Sequence, residues 1–223
     1  GTQILKIFWL SNWAMPCRLS WCWASRWRPS LTGAFQRITA QWRSVGASTL
    51  DARWQASGGE LALAAAGGGD IISVAAYDDF ELELEWRLPA GGNSGVFYRA
   101  VDASPVWARA VEYQLLDDRE AEDRIVPSHR AGAVYDLVAP GQDALRPIDA
   151  YNHARIVACG PHVEHWLNGV KVVEYELGSA DWETRRKASK FAKDILVPNL
   201  TRGRGRVISG TVPLAGTGAA QGR

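Results

Sequence analysis

Three polar side chains interrupt otherwise apolar, strand-like stretches in the middle of the chain. Arg99 follows the apolar run at 96–98, while Glu112 and Gln114 lie within 111–116. Because successive side chains of a strand point to opposite faces, Glu112 and Gln114 share one face, and Arg99 alternates with Tyr98. This pattern predicts a binding face on neighbouring strands. An ordinary solvated sheet face is the alternative for Glu112 and Gln114, and a surface ion pair is the alternative for Arg99.

A glycine-rich turn precedes the first of these strands. Residues 91–95 read Gly-Gly-Asn-Ser-Gly, and Gly and Asn accept positive φ at little cost. Asn93 and Ser94 are therefore candidates for ligand contacts from the turn. Turn chemistry alone is the alternative explanation.

The elements that must position these groups are mostly short strands. Segment 80–88 alternates between apolar residues and Glu or Arg, which predicts a strand with one buried and one wet face. Asn168-Gly169 lies between two strand-like runs and predicts a type I′ hairpin turn. Only 181–193 has a helical pattern. Many short strands at intervals of about a dozen residues predict an all-β sandwich with one short helix.

Charge and composition limit the classes of function. All 24 acidic residues lie between Asp51 and Asp194, a segment that holds 15 of the 25 basic residues and so has a net charge of −9. A negative middle segment argues against nucleic-acid binding, which needs clustered cations. No apolar run reaches the roughly 18 residues of a membrane span, so we expect none.

Both ends of the chain have atypical sequences. Residues 1–40 mix Trp, Arg, Ser and Cys without helical or strand periodicity, and 195–223 form a basic tail that contains Arg-Gly-Arg-Gly-Arg. We predict that 1–40 are a poorly ordered or non-native segment, with a basic aromatic arm that stacks on nucleobases as the alternative. The predicted domain is 41–194.

Several motifs in order along 42–193 resemble the 3-keto-disaccharide hydrolase family, which has the concanavalin A-like lectin/glucanase sandwich, or jelly roll. The motifs are Gly58-Gly59-Glu60-Leu61, Tyr77-Asp78-Asp79-Phe80-Glu81-Leu82, Gly92-Asn93-Ser94-Gly95-Val96, Glu112-Tyr113-Gln114 with Asp117, Gly132-Ala133-Val134-Tyr135, Tyr151-Asn152, His165-Trp166-Leu167-Asn168-Gly169 and Ser189-Lys190-Phe191-Ala192. The family's usual opening motif and its closing strand are not recognisable in this sequence. This departure puts the activity of the chain in doubt.

The resemblance implies cleavage of glycosides that already carry a ketone at sugar C3, by removal of the C2 proton and elimination at C1. Such chemistry needs a base, an electrophile for the enolate oxygen and an acid for the leaving group. The candidates for these roles are polar residues of the predicted inner sheet face. The catalytic candidates are Arg99, Glu112, Asp117 and His165, and the substrate-binding candidates are Asn93, Ser94, Gln114 and Tyr135.

The charged candidates each have more than one possible role. Glu112 or Asp117 serves either as base or as ligand of a divalent cation, and the sequence identifies no metal. Arg99 and His165 are alternatives for enolate stabilisation and proton donation, while cross-strand packing is the other explanation of His165.

The expected partner is a saccharide or glycoside substrate. The resemblance suggests an exported or periplasmic protein, although the N-terminus shows no clear signal peptide.

The main alternative function is a non-catalytic, lectin-like carbohydrate-binding module, because one fold hosts many functions. Trp86, Trp107 or Trp166 would then stack on the sugar, although the position of Trp86 on the apolar side of its strand predicts a core residue.

Overall fold

The computed structural model describes residues 3–12, 40–100, 106, 110–147, 149–192 and 206–211. These residues form two antiparallel sheets of seven and five strands, whose apolar faces pack against each other. The architecture confirms the predicted β-sandwich. Among the described residues, no helix is long and apolar enough to cross a lipid bilayer.

The seven-stranded sheet has the strand order β11-β10-β9-β6-β1-β4-β3. Its strands are β1 (Gln3–Asn12), β3 (Trp54–Ser57), β4 (Glu60–Leu63), β6 (Phe80–Arg87), β9 (Asn152–Cys159), β10 (His162–Leu167) and β11 (Val170–Glu176).

The five-stranded sheet has the order β2-β5-β12-β7-β8. Its strands are β2 (Trp42–Ser44), β5 (Ile71–Ser73), β7 (Asn93–Ala100), β8 (Val111–Leu116) and β12 (Arg206–Thr211).

Strand β6 shows how the sequence pattern becomes packing. Phe80, Leu82, Leu84 and Trp86 are all at most 2% exposed, because they point between the sheets. The glutamates of 81–85 alternate with them on the opposite side, which we call the outer face of the seven-stranded sheet. The predicted strand and the predicted core position of Trp86 are confirmed.

The hairpin that joins β10 to β11 also follows its local sequence. Asn168 and Gly169 have φ of 51° and 83°, and two consecutive positive values are the type I′ geometry. The side chain of Asn168 donates hydrogen bonds to the carbonyl of Ala144 and to Asn152 Oδ1, each at 2.8 Å. The turn therefore also anchors the loop that precedes β9.

A short helix, α1 (Ala180–Ala188), follows β11. The Ser179 hydroxyl caps it by accepting the Trp182 N–H at 3.1 Å, and Trp182 is buried. A single 3₁₀ turn, Lys190–Ala192, comes next and buries Phe191. The predicted helical segment near 181–193 is thus present, with a break at Ser189.

Two strands lie outside the predicted domain of 41–194. Strand β1 is inserted between β6 and β4, and β12 between β5 and β7. Neither strand is predictable from its sequence, because 4–10 is an almost continuous apolar run and 206–211 lies in a tail rich in small residues. In both cases the backbone pairing with neighbouring strands defines the element, and that pairing is not visible in local periodicity.

Candidate functional site

The floor of the candidate site is the side of β7 and β8 that faces away from the seven-stranded sheet. The antiparallel register places Gly95 opposite Gln114 and Phe97 opposite Glu112. Asn93, Glu112 and Gln114 therefore share this side. Gln114 donates from Nε2 to Asn93 Oδ1 at 3.0 Å, and its buried Oε1 finds no donor among the described residues.

Glu112 lies over a position that lacks a side chain. A Cβ atom added to Gly95 would approach the carboxyl carbon of Glu112 to 2.8 Å, which is closer than real Cβ contacts allow. Burial raises the pKa of Glu112 to about 8; nearby Asp123 and Asp70 add to this effect, while the positive charge of Lys190 opposes it. Gly95 thus provides the space in which the carboxyl group is held with little water around it.

One wall of the site is the segment that follows β8. It leaves the strand at Asp117 and returns along its free edge, where the Tyr135 N–H donates to the Glu112 carbonyl at 3.1 Å. An isolated bridge between Tyr113 and Val134 belongs to the same return. The side chain of Tyr135 is thereby placed next to Glu112.

Four side chains of this segment form a hydrogen-bonded network. The Tyr135 hydroxyl donates to Asp123 Oδ2 at 2.9 Å. The ring of His129 lies between two carboxylates, with Nδ1 3.0 Å from Asp123 Oδ1 and Nε2 2.9 Å from Asp136 Oδ1. The His129 and Tyr135 rings are stacked with centroids 4.3 Å apart. The network gives the wall of the site a fixed arrangement.

This network shifts the pKa of both groups in the bond between Tyr135 and Asp123. Burial opposes ionisation of Asp123, but hydrogen bonds from His129 and Tyr135 outweigh it and lower the pKa of Asp123. Burial and the bond to Asp123 raise the pKa of Tyr135. Asp123 is therefore an ionised acceptor, and Tyr135 stays a protonated donor.

Lys190 completes the wall from the 3₁₀ turn after α1. Its backbone N–H donates to Asp136 Oδ2 at 2.7 Å, and its Nζ lies 4.1 Å from the centroid of the Tyr135 ring. Asp136 itself has φ of 59°, which is uncommon for a residue with a side chain. Asp136 thus connects His129 to the turn that carries Lys190, because one of its carboxylate oxygens contacts His129 and the other accepts the Lys190 N–H.

The structure brings together four of the eight residues predicted for the site. They are Asn93, Glu112, Gln114 and Tyr135. Ser94 points into the sandwich, where it accepts a hydrogen bond from Gln3 Nε2 at 2.8 Å.

Arg99, Asp117 and His165 also lie elsewhere. Arg99 has φ of 53°, and its guanidinium donates to the Gly160 carbonyl at 2.5 Å, in the turn between β9 and β10 of the other sheet. Asp117 accepts the Gly91 N–H at 2.8 Å and the Arg119 N–H at 3.1 Å, so it holds loop backbone.

His165 is fully buried between the sheets. It donates from Nδ1 to the Gly132 carbonyl at 2.9 Å, so its Nε2 accepts from the Tyr98 hydroxyl at 2.8 Å. Burial lowers the pKa of His165 to about 4, because the interior disfavours the charged ring. These bonds connect the two sheets, and Gly132 in turn belongs to the wall of the candidate site.

Asp123, His129, Asp136 and Lys190 are not predicted as site residues from the sequence. Asp123 and His129 come from a charged loop without periodicity, His129 shows no ligand spacing, and Asp136 directly follows the motif at 132–135. Lys190 belongs to the motif Ser189-Lys190-Phe191-Ala192, which carried the resemblance, so a signal for it was present.

One group of potential metal ligands occurs among the described residues, on the outer face of the seven-stranded sheet. His162, Glu164 and Glu174 each offer a ligand atom within 4.8 Å of the others. Lys171 already lies between the two glutamates, 3.2 Å and 2.5 Å from their oxygens, and neutralises part of their charge. This group is separate from Glu112 and Asp117, the predicted alternatives for a cation ligand.

Two of the three tryptophans considered as sugar platforms lie away from the network. Trp86 is fully buried in the core. Trp166 donates to Glu164 and packs under the Arg155 guanidinium on the outer face of the seven-stranded sheet, while Trp107 lies outside the described residues.

Solved structures define the class of fold. Two crystal structures of proteins from Parabacteroides distasonis ATCC 8503, each provisionally described as a glycosyl hydrolase, superpose with TM-scores of 0.68 and 0.56. The first is 24% identical and covers 77% of this chain and 82% of its own. The second is 22% identical and covers 79% of this chain and 73% of its own. The chain therefore has the β-sandwich fold of these proteins.

The family follows from the sequence comparison. Residues 32–208 match the family described as the 3-keto-alpha-glucoside-1,2-lyase-like domain, and the chain belongs to it. A 3-keto-disaccharide hydrolase from Bacteroides thetaiotaomicron is 29% identical over 175 residues, which cover 69% of this chain. The match spans 60% of that relative's length. The family resemblance predicted from the motifs is confirmed.

Proposed function

We propose that the protein cleaves 3-keto glycosides by removing the C2 proton and eliminating the group at C1. Membership of the 3-keto-alpha-glucoside-1,2-lyase-like family supports a substrate of this kind. The observation that carries the proposal is Glu112, a half-buried carboxyl group with a pKa raised to about 8.

The chemistry requires a base more than any other group. A ketone at C3 acidifies the hydrogen on C2, so a base removes that proton and the electron pair forms an enolate. The enolate then re-forms the ketone as the C1–O bond breaks, and the departing oxygen takes a proton from water and leaves as the alcohol. Water then adds across the new C1–C2 double bond. A base is most effective when its pKa is close to the working pH, and Glu112 meets this condition near pH 8.

The neighbouring groups suit a sugar. Gln114 Oε1 has no donor among the described residues and is an acceptor for a hydroxyl group. Asn93 and Tyr135 both donate to Asp123 Oδ2, at 3.4 Å and 2.9 Å. We assign Asn93, Gln114 and Tyr135 to the sugar hydroxyls, because a few convergent polar groups fix the orientation of a ligand.

The proposal is tested with a 3-keto glucoside that carries a chromogenic aglycone. We expect the wild-type protein to release the aglycone and Glu112→Gln to lose at least about 10²-fold in kcat, since the variant has no base. Glu85→Gln on the outer face of the seven-stranded sheet is the matched control and should behave like wild type.

Two outcomes contradict the proposal. Unchanged turnover by Glu112→Gln would exclude Glu112 as the base. Saturable binding of the glycoside without aglycone release by the wild-type protein would instead support a carbohydrate-binding module.

A further inference from the structure

Lys190 holds a positive charge at the candidate site that no carboxylate neutralises directly. Among the described residues, Nζ of Lys190 has no ion pair within 4.0 Å, whereas Lys171 and Arg186 both have acidic partners. Its Nζ lies over the face of Tyr135 instead. Lys190 is also exposed, so a ligand can reach its ammonium group.

The backbone of Lys190 is fixed although its side chain is exposed. The N–H bond to Asp136 Oδ2 joins the 3₁₀ turn to the network of His129, Asp123 and Tyr135. Tyr135 in turn lies next to Glu112, so the network connects the cation to the proposed base. The backbone that carries the cation is therefore held by the same network that holds Tyr135.

The charge of Lys190 acts on the proposed base. The positive charge of Lys190 lowers the pKa of Glu112, against the larger effect of burial. Tyr135 provides the geometric link, because its ring lies 4.1 Å from the Lys190 ammonium group and its N–H donates to the Glu112 carbonyl at 3.1 Å. A substrate that binds at Tyr135 and Glu112 is therefore also next to Lys190.

We propose that Lys190 is a second catalytic residue, whose ammonium group stabilises the negative charge on the C3 oxygen of the enolate. The inference rests on the proposed function. When Glu112 takes the proton from C2, the C–H electron pair forms the C2–C3 double bond and the C3 carbonyl pair moves to oxygen. Lys190 donates a hydrogen bond to that oxygen, and the charge returns to form the ketone as the C1–O bond breaks.

A purely structural role is the competing explanation. The Lys190 ammonium group lies over the Tyr135 ring, and such contacts stabilise a fold without any part in chemistry. Lys190→Met removes the charge and keeps an apolar side chain of similar length. The two explanations therefore predict different results for this variant.

Enolate formation is measured separately from cleavage with a 1,5-anhydro-3-keto-glucitol, which has no leaving group at C1. Exchange of its C2 hydrogen for deuterium in D2O is followed by proton NMR with wild type, Lys190→Met, Lys190→Arg and Lys187→Met. Lys187 is an exposed residue of α1 and is the matched control. Glu112→Gln is included to test the proposed function in the same assay.

We expect Lys190→Met to slow the exchange by about 10²-fold, the usual effect of losing one group that stabilises an oxyanion. Lys190→Arg should retain a substantial part of the rate, and Lys187→Met all of it. The pH midpoint of the remaining activity of Lys190→Met should move upward, because the charge that lowers the pKa of Glu112 is gone. A purely structural role predicts instead that the exchange rate falls only together with thermal stability.

The inference is overturned if Lys190→Met exchanges at the wild-type rate while Glu112→Gln is inactive. It is also overturned if Lys190→Arg is as slow as Lys190→Met at the same thermal stability. If Glu112→Gln exchanges like wild type, or if the wild-type protein does not exchange, the proposed function fails and this inference fails with it.

Discussion

The outer face of the seven-stranded sheet and the floor of the candidate site both carry carboxyl groups, yet these groups have different surroundings. On the outer face, Glu81 and Glu83 both interact with Arg155, and Glu83 also lies 3.1 Å from His153 Nε2. At the candidate site, Glu112 has no ion pair within 4.0 Å among the described residues. The segment that returns along β8 also covers it, and burial raises its pKa to about 8.

The comparison shows what turns a polar strand face into a reactive one. Charges that neutralise one another in contact with water contribute little stability and little reactivity. A carboxyl group that a loop partly buries, away from a partner, is less stable as an anion and is a stronger base. The difference comes from the loop, which runs along Glu112, and from Gly95, which leaves room for its carboxyl group.

The largest expected effect comes from filling the space above Gly95. Gly95→Ala places a methyl group where the Glu112 carboxyl lies, so we expect kcat to fall by about 10²-fold and stability to decrease by about 1–3 kcal/mol. Gly141→Ala is the control, because its added Cβ would meet only Val172 O, at 3.6 Å. Steady-state kinetics and urea unfolding measure both effects. Wild-type kinetics of Gly95→Ala would show that the carboxyl position is unimportant.

The second prediction concerns the cost of keeping Glu112 buried. Its folded pKa of about 8 is above the ordinary value of 4.5, so its contribution to stability is fully present below pH 4.5 and is lost as the pH rises toward 8. Glu112→Gln never ionises. We expect the variant to be more stable than wild type at pH 8, on the order of 1–3 kcal/mol, and equal to it at pH 4.

Thermal or urea unfolding at the two pH values checks this prediction. Equal stability of the two proteins at pH 8 would mean that Glu112 ionises freely in the folded state, and the contrast between the two faces would disappear.

A smaller effect is expected from the network that supports the wall. Asp123→Asn leaves Tyr135 an acceptor but removes the charge that the His129 ring faces, so we expect KM to rise severalfold and stability to fall by about 1–3 kcal/mol. Asp181→Asn, which breaks only an exposed ion pair with Arg185 on α1, is the control. Identical effects of the two substitutions on KM would remove Asp123 from the site.

The smallest effect is expected on the outer face of the seven-stranded sheet. Glu83→Gln removes one exposed partner of His153 and Arg155, and such pairs contribute about 0–1 kcal/mol. We expect unchanged kcat and a change in unfolding free energy below about 1 kcal/mol. A loss of turnover by this variant would mean that the two faces had been assigned to the wrong functions.

Strand periodicity and turn residues predict most of the fold and part of the candidate site. The alternation in β6 and the Asn168-Gly169 turn are local signals, and both elements are present. Parity correctly placed Glu112 and Gln114 on one face. The same rule places His165 with Val163 and Leu167 on the buried side of β10, so its interior position was readable from the sequence.

The remaining residues of the site depend on contacts that local sequence does not encode. Arg99 leaves the expected face because its φ is positive where the pairing of β7 with β12 shifts register. His129 meets its carboxylates through two 3₁₀ turns, and Lys190 meets Asp136 across 54 positions of sequence. Such long-range contacts form only when the loop is closed against the sheet.

The most direct test of the central claim, that Glu112 removes the C2 proton of a 3-keto sugar, is cleavage of a 3-keto glucoside in D2O. The elimination route predicts that the released sugar carries one deuterium at C2, since water adds across the C1–C2 double bond, and that Glu112→Gln releases no such product. Release of a sugar that keeps its original hydrogen at C2, after correction for exchange without enzyme, would contradict the account.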